Sequence, residues 1–302
     1  MDILDLFDFD AVAEGDPFEV HTVTPEYTKV VSELEDAIRK GRLVSVKDVF
    51  GALRRMGMTQ QRVKSSRSFL YLAILHSRVD VAEYLLLEGV EISSLEVQCA
   101  TEKSDIAALE LLVNHGWDIN RQIGWFVPPA LAFATDHVDL CCWFLAHGAD
   151  PNAGCVLDMT PLSAAVQYGP LDVINLLFDH GGSIERGELL HYAIWRDLDD
   201  RLEIVDLLIR KGAPINMLTY QNRPDCWEQR KFFGLGTPLH DAAAMGDENV
   251  VRLLLNEGAD VSTSTRDSLG LLPYQRAERK GHKVVADLLQ SVSNRLSLKP
   301  KI

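Results

Sequence analysis

No stretch of this 302-residue sequence approaches the roughly 18 consecutive apolar residues that a bilayer-spanning helix needs. The opening residues, MDILDLFDFDA, place no positive region ahead of their apolar side chains, so a secretory signal is not expected. Cysteine is scarce: five residues, an odd number, with no C-x-x-C spacing and one adjacent pair, Cys141 and Cys142. That pattern argues against a disulfide framework and a structural zinc site, and the expected setting is reducing, cytoplasmic or nuclear. Positive charge is short as well, with 30 Lys and Arg against 44 Asp and Glu and a formal net charge of −14. Nucleic-acid binding usually shows a basic face, so neither phosphate backbone nor a membrane is an expected partner.

Recognisable catalytic motifs are missing too. There is no P-loop, H-E-x-x-H, nucleophile elbow, dinucleotide fingerprint or EF-hand loop. No catalytic residue, metal ligand or cofactor is assigned from the sequence. His115, His147 and His180 each fall one or two residues before a glycine that ends a helical pattern, where an imidazole complements the helix dipole without doing chemistry. The acids Asp197, Asp199 and Asp200 cluster, but a paired-carboxylate site needs a group presented opposite.

What is present is a length and a 47% apolar content that support a real core, and a repeat. Residues 237–261 read TPLHDAAAMGDENVVRLLLNEGADV: a Thr-Pro start, an Ala-rich helix, a Gly-Asp break, a second helix with three leucines, and a Gly-Ala-Asp exit. Related units run from SFLYLAILHSRVDVAEYLLLEG through TPLSAAVQYGPLDVINLLFDHGGSI to SLGLLPYQRAERKGHKVVADLL. The exit glycines Gly57, Gly89, Gly116, Gly148, Gly181, Gly212 and Gly258 are spaced 32, 27, 32, 33, 31 and 46 residues apart. Four intervals lie within two residues of 33, the period of ankyrin repeats, whose signature is T-P-L-H-x-A.

The chain therefore resembles the ankyrin repeat family over roughly residues 30 to 290, with about seven to eight repeats of which the first and last are atypical. The resemblance implies an all-α solenoid of stacked helix-turn-helix units with β-turn or hairpin fingers. Thr160 and Thr237 are expected to cap first helices, Pro161 and Pro238 to occupy first turns, and the exit glycines to take left-handed conformations. His191 and His240, at the motif's histidine position, are expected to make the family's inter-turn hydrogen bond. Three regions are expected: an acidic-hydrophobic tail at 1–26, an array at 27–290 and a basic tail at 291–302. Residues 1–28 carry eight acids and no Lys or Arg, whereas residues 270–302 carry seven basic and two acidic side chains. The tail is read as solvated or as a peptide that docks, in cis on the groove or the basic C-terminal end, or on another protein.

Functional expectations rest on departures from the repeat. Residues 213–236 form an insertion with Tyr220, Trp227, Phe232 and Phe233 beside Arg223, Arg230 and Lys231, residue types that dominate interface hot spots. The rings either contact a partner or fold back as a small private core. The family lines its concave face with residues just after the buried Ala, which here gives Leu75, His76, Tyr168, Trp195, Arg196 and Met245, overhung by Trp125. These residues, with Trp227, Arg230 and Phe232, are the candidate partner-binding set. The implied function is a protein-interaction module. Two alternatives stand beside it: a transcription-linked adaptor that uses the acidic tail, and a small-molecule enzyme with the groove as its site and the insertion as its lid.

Overall fold

The structure, a computed structural model, describes residues 25–55, 68–231, 235–265 and 269–297. Gly57, Phe232, Phe233 and the tail at 1–24 lie outside the described residues. Helices come in pairs. In order they are α1 (Pro25–Arg39) and α2 (Leu43–Arg55), α3 (Phe69–Leu75) and α4 (Val79–Leu87), and α5 (Ser94–Glu102) and α6 (Ile106–Asn114). A hairpin follows, β1 (Gln122–Gly124) and β2 (Val127–Pro129), antiparallel with Gln122 opposite Pro129 and Gly124 opposite Val127. Next come a 3-10 turn at Ala130–Phe133 with α7 (Val138–Ala146), α8 (Pro161–Tyr168) with α9 (Leu171–Asp179), and α10 (Leu189–Trp195) with α11 (Arg201–Arg210). The insertion contributes α12 (Pro224–Arg230), and two last pairs close the chain: α13 (Pro238–Met245) with α14 (Glu248–Asn256), and α15 (Pro273–Lys280) with α16 (Lys283–Ser297). The final helix thus runs past 290, into the region expected to be a tail.

Each first helix packs on the next, α1 on α3, α3 on α5, and so on to α13 on α15, while among the second helices α2 packs on α4, α4 on α6, α7 on α9, α11 on α14 and α14 on α16. Neighbouring first helices are in closer contact than neighbouring second helices, which curves the stack towards the first-helix side. Alanine makes that approach possible. Ala73, Ala100, Ala165, Ala193, Ala242 and Ala277 are fully buried at equivalent places in their units, and their single methyls admit the adjoining helix. Leu85, Leu112, Leu177, Leu208 and Leu254 fill the space between the two rows, each completely buried. Burying a leucine contributes about 1.5–3 kcal/mol, so the repeat-to-repeat leucine row is a principal source of cohesion. The third unit departs from the pattern: Pro128 and Pro129 lead into a single 3-10 turn rather than an α-helix.

The helix ends follow local chemistry. Thr160 Oγ1 accepts from the Ser163 N–H at 3.0 Å, with Pro161 in the first turn. Gly89, Gly116, Gly148, Gly181, Gly212 and Gly258 all have φ between 84° and 93°, a conformation that costs an L side chain roughly 1–2 kcal/mol. His147 and His180 turn Nδ1 back to the Trp143 and Leu176 carbonyls, at 2.7 and 2.8 Å, so these imidazoles close helix C-termini.

Successive fingers are joined by an asparagine ladder. Asn120 Nδ2 donates to the Gly148 carbonyl at 3.0 Å and its Oδ1 accepts from the Asp150 N–H at 2.7 Å. Asn152 repeats the pattern with Gly181 and Ser183, and Asn216 repeats it with Gly258 and Asp260. Each rung satisfies an exit-glycine carbonyl of the next repeat and fixes the spacing of the fingers.

Candidate functional site

Four first helices end on a large apolar side chain that faces solvent. Leu75, Tyr168, Trp195 and Met245 close α3, α8, α10 and α13, and each is 37% exposed. Two positions earlier stand Ala73, Val166, Ala193 and Ala243, all fully buried. Two residues turn an α-helix by about 200°, so burying one position aims the other outwards. Tyr168, Trp195 and Met245 belong to three successive units whose first helices pack on one another, α8 on α10 and α10 on α13, with Trp195 one position earlier in its unit than the other two. The Trp195 ring is oriented by an edge contact with Tyr192 at 5.4 Å and a tilted one with His191 at 6.1 Å. His76, the residue after Leu75, is exposed beside it.

Arg196 does not join this surface. It is the largest fully buried side chain among the described residues, 1% exposed. Its Nε and Nη2 each donate to Asp200 at 2.6 Å, and Nη1 donates to the Val166 carbonyl at 3.0 Å. The guanidinium thus locks the end of α8 to the widened turn between α10 and α11, and its hydrogen bonds hold the Asp200 carboxyl below the usual carboxylate range. Arg201 continues the lock by donating to Asp247 at 2.9 Å. Of the acids of this turn, Asp200 is tied up by Arg196, and the exposed Asp197 stands 3.5 Å from Arg201.

The insertion lies along the fingers. Tyr220 donates its N–H to Glu188 Oε1 at 2.9 Å, Arg223 pairs with Asp158, and Cys226 Sγ donates to the Val156 carbonyl at 2.9 Å. Farther back, the Arg230 guanidinium stands 5.6 Å over the Phe126 ring, and the Val156 N–H donates to the Trp125 carbonyl at 3.0 Å. The segment is therefore a strap that crosses three preceding fingers. A separate small core of Cys155, Leu157, Tyr220 and Cys226 forms beneath it, with Trp227 half-buried against that core. Trp125, at the tip of the β1–β2 hairpin, is 73% exposed.

Beneath the strap sits a buried ionic cluster. His191 Nδ1 is 2.7 Å from Asp241 Oδ2, and Glu188 Oε2 stands 3.8 Å from Nε2, both atoms lacking a hydrogen-bond partner. Burial alone would lower the His191 pKa, but the hydrogen bond and charge of Asp241, with Glu188 behind, raise it. Burial pushes the Glu188 carboxyl up, partly offset by the His191 charge. Arg276 approaches the other Asp241 oxygen at 3.5 Å. His240 contrasts with its neighbour unit. Its Nδ1 accepts from the Thr237 N–H at 3.0 Å and its Nε2 faces the Leu271 carbonyl at 3.0 Å, an inter-turn link made by a neutral ring. Burial lowers its pKa to about 4.

Burial pushes the Cys141 thiol up to about 12, and its Sγ is 3.1 Å from the Ala134 carbonyl. Among the described residues no set of three His, Cys, Asp or Glu side chains is placed to hold a metal ion. A shallow depression between α11 and α14, lined by Leu202, Glu203, Asn249 and Leu253, lies on the second-helix side, away from the aromatic row. No helix of the described residues is long and apolar enough to cross a membrane.

Sequence reasoning missed Glu188, Asp158 and Asp241. One signal was available. The fifth unit reads RGELLHYA, with Glu188 three residues before His191 where the sixth has Thr237 three before His240. Without the threonine, His191 needs another partner.

Paired short helices, exit glycines in left-handed conformation and projecting fingers define a helical repeat solenoid. The chain belongs to the ankyrin repeat family: the family model for ankyrin repeats matches residues 130–219 and 190–297, more than half of the chain, in three copies. It is 31% identical to an ankyrin repeat protein of fowlpox virus, FPV244, over 112 residues, 37% of this chain and 14% of that protein. It is 28% identical to the ankyrin repeat and KH domain-containing protein mask-1 of Caenorhabditis elegans over 153 residues, 48% of this chain and 5% of the other. Over 203 residues, 54% of this chain and 44% of the relative, it is 27% identical to the E3 ubiquitin-protein ligase XB3 of Oryza sativa subsp. japonica. The chain thus spans less than half the length of each of these relatives.

Proposed function

We propose that this chain is a protein-interaction module that receives a protein partner on its first-helix row, with Tyr168, Trp195 and Met245 as the central contacts. Ankyrin repeat proteins in general mediate protein–protein contacts. The observation that carries the reading here is the row itself: three large apolar side chains, each 37% exposed, on consecutive units of a rigid stack. Their backbones are set by buried alanines and by the Arg196 lock, so little ordering cost falls on this side of a complex. The strap supports the same reading. Its bonds to Asp158, Val156 and Glu188 make it a brace for the fingers, which suits a preorganised binding face better than a moving lid. Trp125 extends the surface at the finger tips. The five cysteines are all free thiols, which supports a reducing compartment, cytoplasmic or nuclear, as the place of action.

The experiment is quantitative affinity capture with a Tyr168→Ala, Trp195→Ala, Met245→Ala variant beside the unaltered chain. Circular dichroism would first establish equal helix content. Central contacts contribute on the order of 2 kcal/mol each when truncated, so a direct partner should lose at least about 30-fold in affinity. A partner that binds the variant and the unaltered chain equally overturns this assignment of the surface.

A further inference from the structure

Beyond the aromatic row, the first-helix surface changes character. Lys280 closes α15 at the position held by Met245 and Tyr168 in their units, and Arg279 precedes it at the position held by Trp195. Both are exposed, and no carboxylate among the described residues forms an ion pair with either. The row is thus apolar through α8, α10 and α13 and cationic at α15. A ligand that matched it would be a peptide rich in large apolar side chains with acids at one end. The chain contains such a segment. Residues 2–10, DILDLFDFD, carry five large apolar side chains and four aspartates, and residues 1–24 have no Lys or Arg.

Geometry allows the two to meet. Packed helices lie about 8–10 Å apart, so the four steps from α1 along the first-helix row to α8 cover about 40 Å and the seven steps to α15 about 65 Å. The 15 positions between Asp10 and Pro25 reach at most about 50 Å, and the 23 between Asp2 and Pro25 about 75 Å. Asp10 can therefore stand near Tyr168 while Asp2 stands near Lys280. We propose that residues 2–10 dock in cis along the first-helix row. Their apolar side chains lie on Tyr168, Trp195 and Met245, and Asp2 and Asp5 lie against Arg279 and Lys280. The segment occupies the binding face until a partner displaces it. Tethering supplies a local concentration of the order of millimolar, so even a weak intrinsic contact is populated. The inference rests on the first-helix row being the binding face.

The test uses the full chain with the photo-cross-linker p-benzoylphenylalanine in place of Phe7, illuminated at low micromolar concentration, and mass spectrometry to locate the adducts. Expected are adducts within one chain on or next to Tyr168, Trp195 or Met245. Their yield should fall about tenfold in the Asp2→Asn, Asp5→Asn, Asp8→Asn variant and in an Arg279→Glu, Lys280→Glu variant, both confined to exposed or tail positions. Adducts on the second-helix face, adducts scattered without preference, or adducts only between chains that grow with concentration would each overturn docking in cis. The capture experiment separates this failure from that of the binding face. Loss of partner by the row variant without row adducts removes only the tail. Row adducts with unchanged partner capture leave the docking and remove the partner site.

Discussion

Asp241 Oδ2 lies 2.7 Å from Nδ1 of His191, joining the first helix of the fifth unit to that of the sixth with both side chains buried. The imidazole also faces Glu188 at 3.8 Å, the Thr219 hydroxyl at 3.5 Å and the Met217 carbonyl, while Arg276 stands behind Asp241. The ring is held between two carboxyl groups. Its folded pKa is raised above the ordinary 6.5, so its contribution to stability is full below 6.5 and is lost as pH rises through the folded value. Glu188, also raised, acts in the same direction, because its charged form is disfavoured by burial. We expect His191→Gln to cost about 3 kcal/mol at pH 6 and less at pH 9, measured by urea unfolding across that range. Equal costs at the two pH values would show that His191 is neutral in the fold.

His240 should govern the acid side. Its folded pKa of about 4 lies below the ordinary 6.5, so the unfolded chain binds the proton first and stability falls as pH drops from 6.5 towards 4. The difference corresponds to roughly 3 kcal/mol over that interval. A His240→Gln variant should be less stable at pH 7, having lost the fit between Thr237 and Leu271, yet show a flatter acid limb. An unchanged acid limb would assign the slope to carboxylates instead.

Arg196→Met is expected to destabilise the array by about 2–4 kcal/mol, since it strands the Val166 carbonyl and leaves Asp200 without its bidentate partner. Arg196→Lys should recover less than half of that loss, because one ammonium cannot reproduce the planar fork. Calorimetric or urea unfolding of both variants checks this. If the lysine variant matched the unaltered chain, the fork geometry would be irrelevant.

Arg196 also shows where sequence and structure part. Repeat period, exit glycines, buried alanines and the Thr160 cap are local signals repeated many times, and each appears where the spacing places it. Tyr168, Trp195 and Met245 face outwards because each stands two residues, about 200° of helix, past a fully buried side chain, Val166, Ala193 and Ala243. Arg196 falls one residue past the helix, where phase no longer determines direction, and the nearby Asp200 and Val166 carbonyl draw it inside. The insertion was readable as long and aromatic. Its course was not, since it depends on Glu188, Asp158 and Val156, residues 32, 65 and 70 positions from the groups they bind.

The asparagine ladder has a gap with a physical cause. Rungs at Asn120, Asn152 and Asn216 each stand four residues after an exit glycine, but the equivalent residue after Gly181 is Glu185. Each asparagine accepts from the N–H two residues past the next exit glycine, supplied by Asp150, Ser183 and Asp260. Past Gly212 that residue is Pro214, which has no N–H to give. An asparagine at 185 would therefore find only half of its partners. We expect Glu185→Asn alone to change stability by no more than about 0.5 kcal/mol, and Pro214→Asp alone to cost a few tenths through the freer unfolded chain. Together they should complete the rung and exceed the sum of the single effects by about 0.5–1 kcal/mol, read as a coupling energy in a double-mutant cycle. Strict additivity would show that the ladder's two hydrogen bonds do not act as a unit.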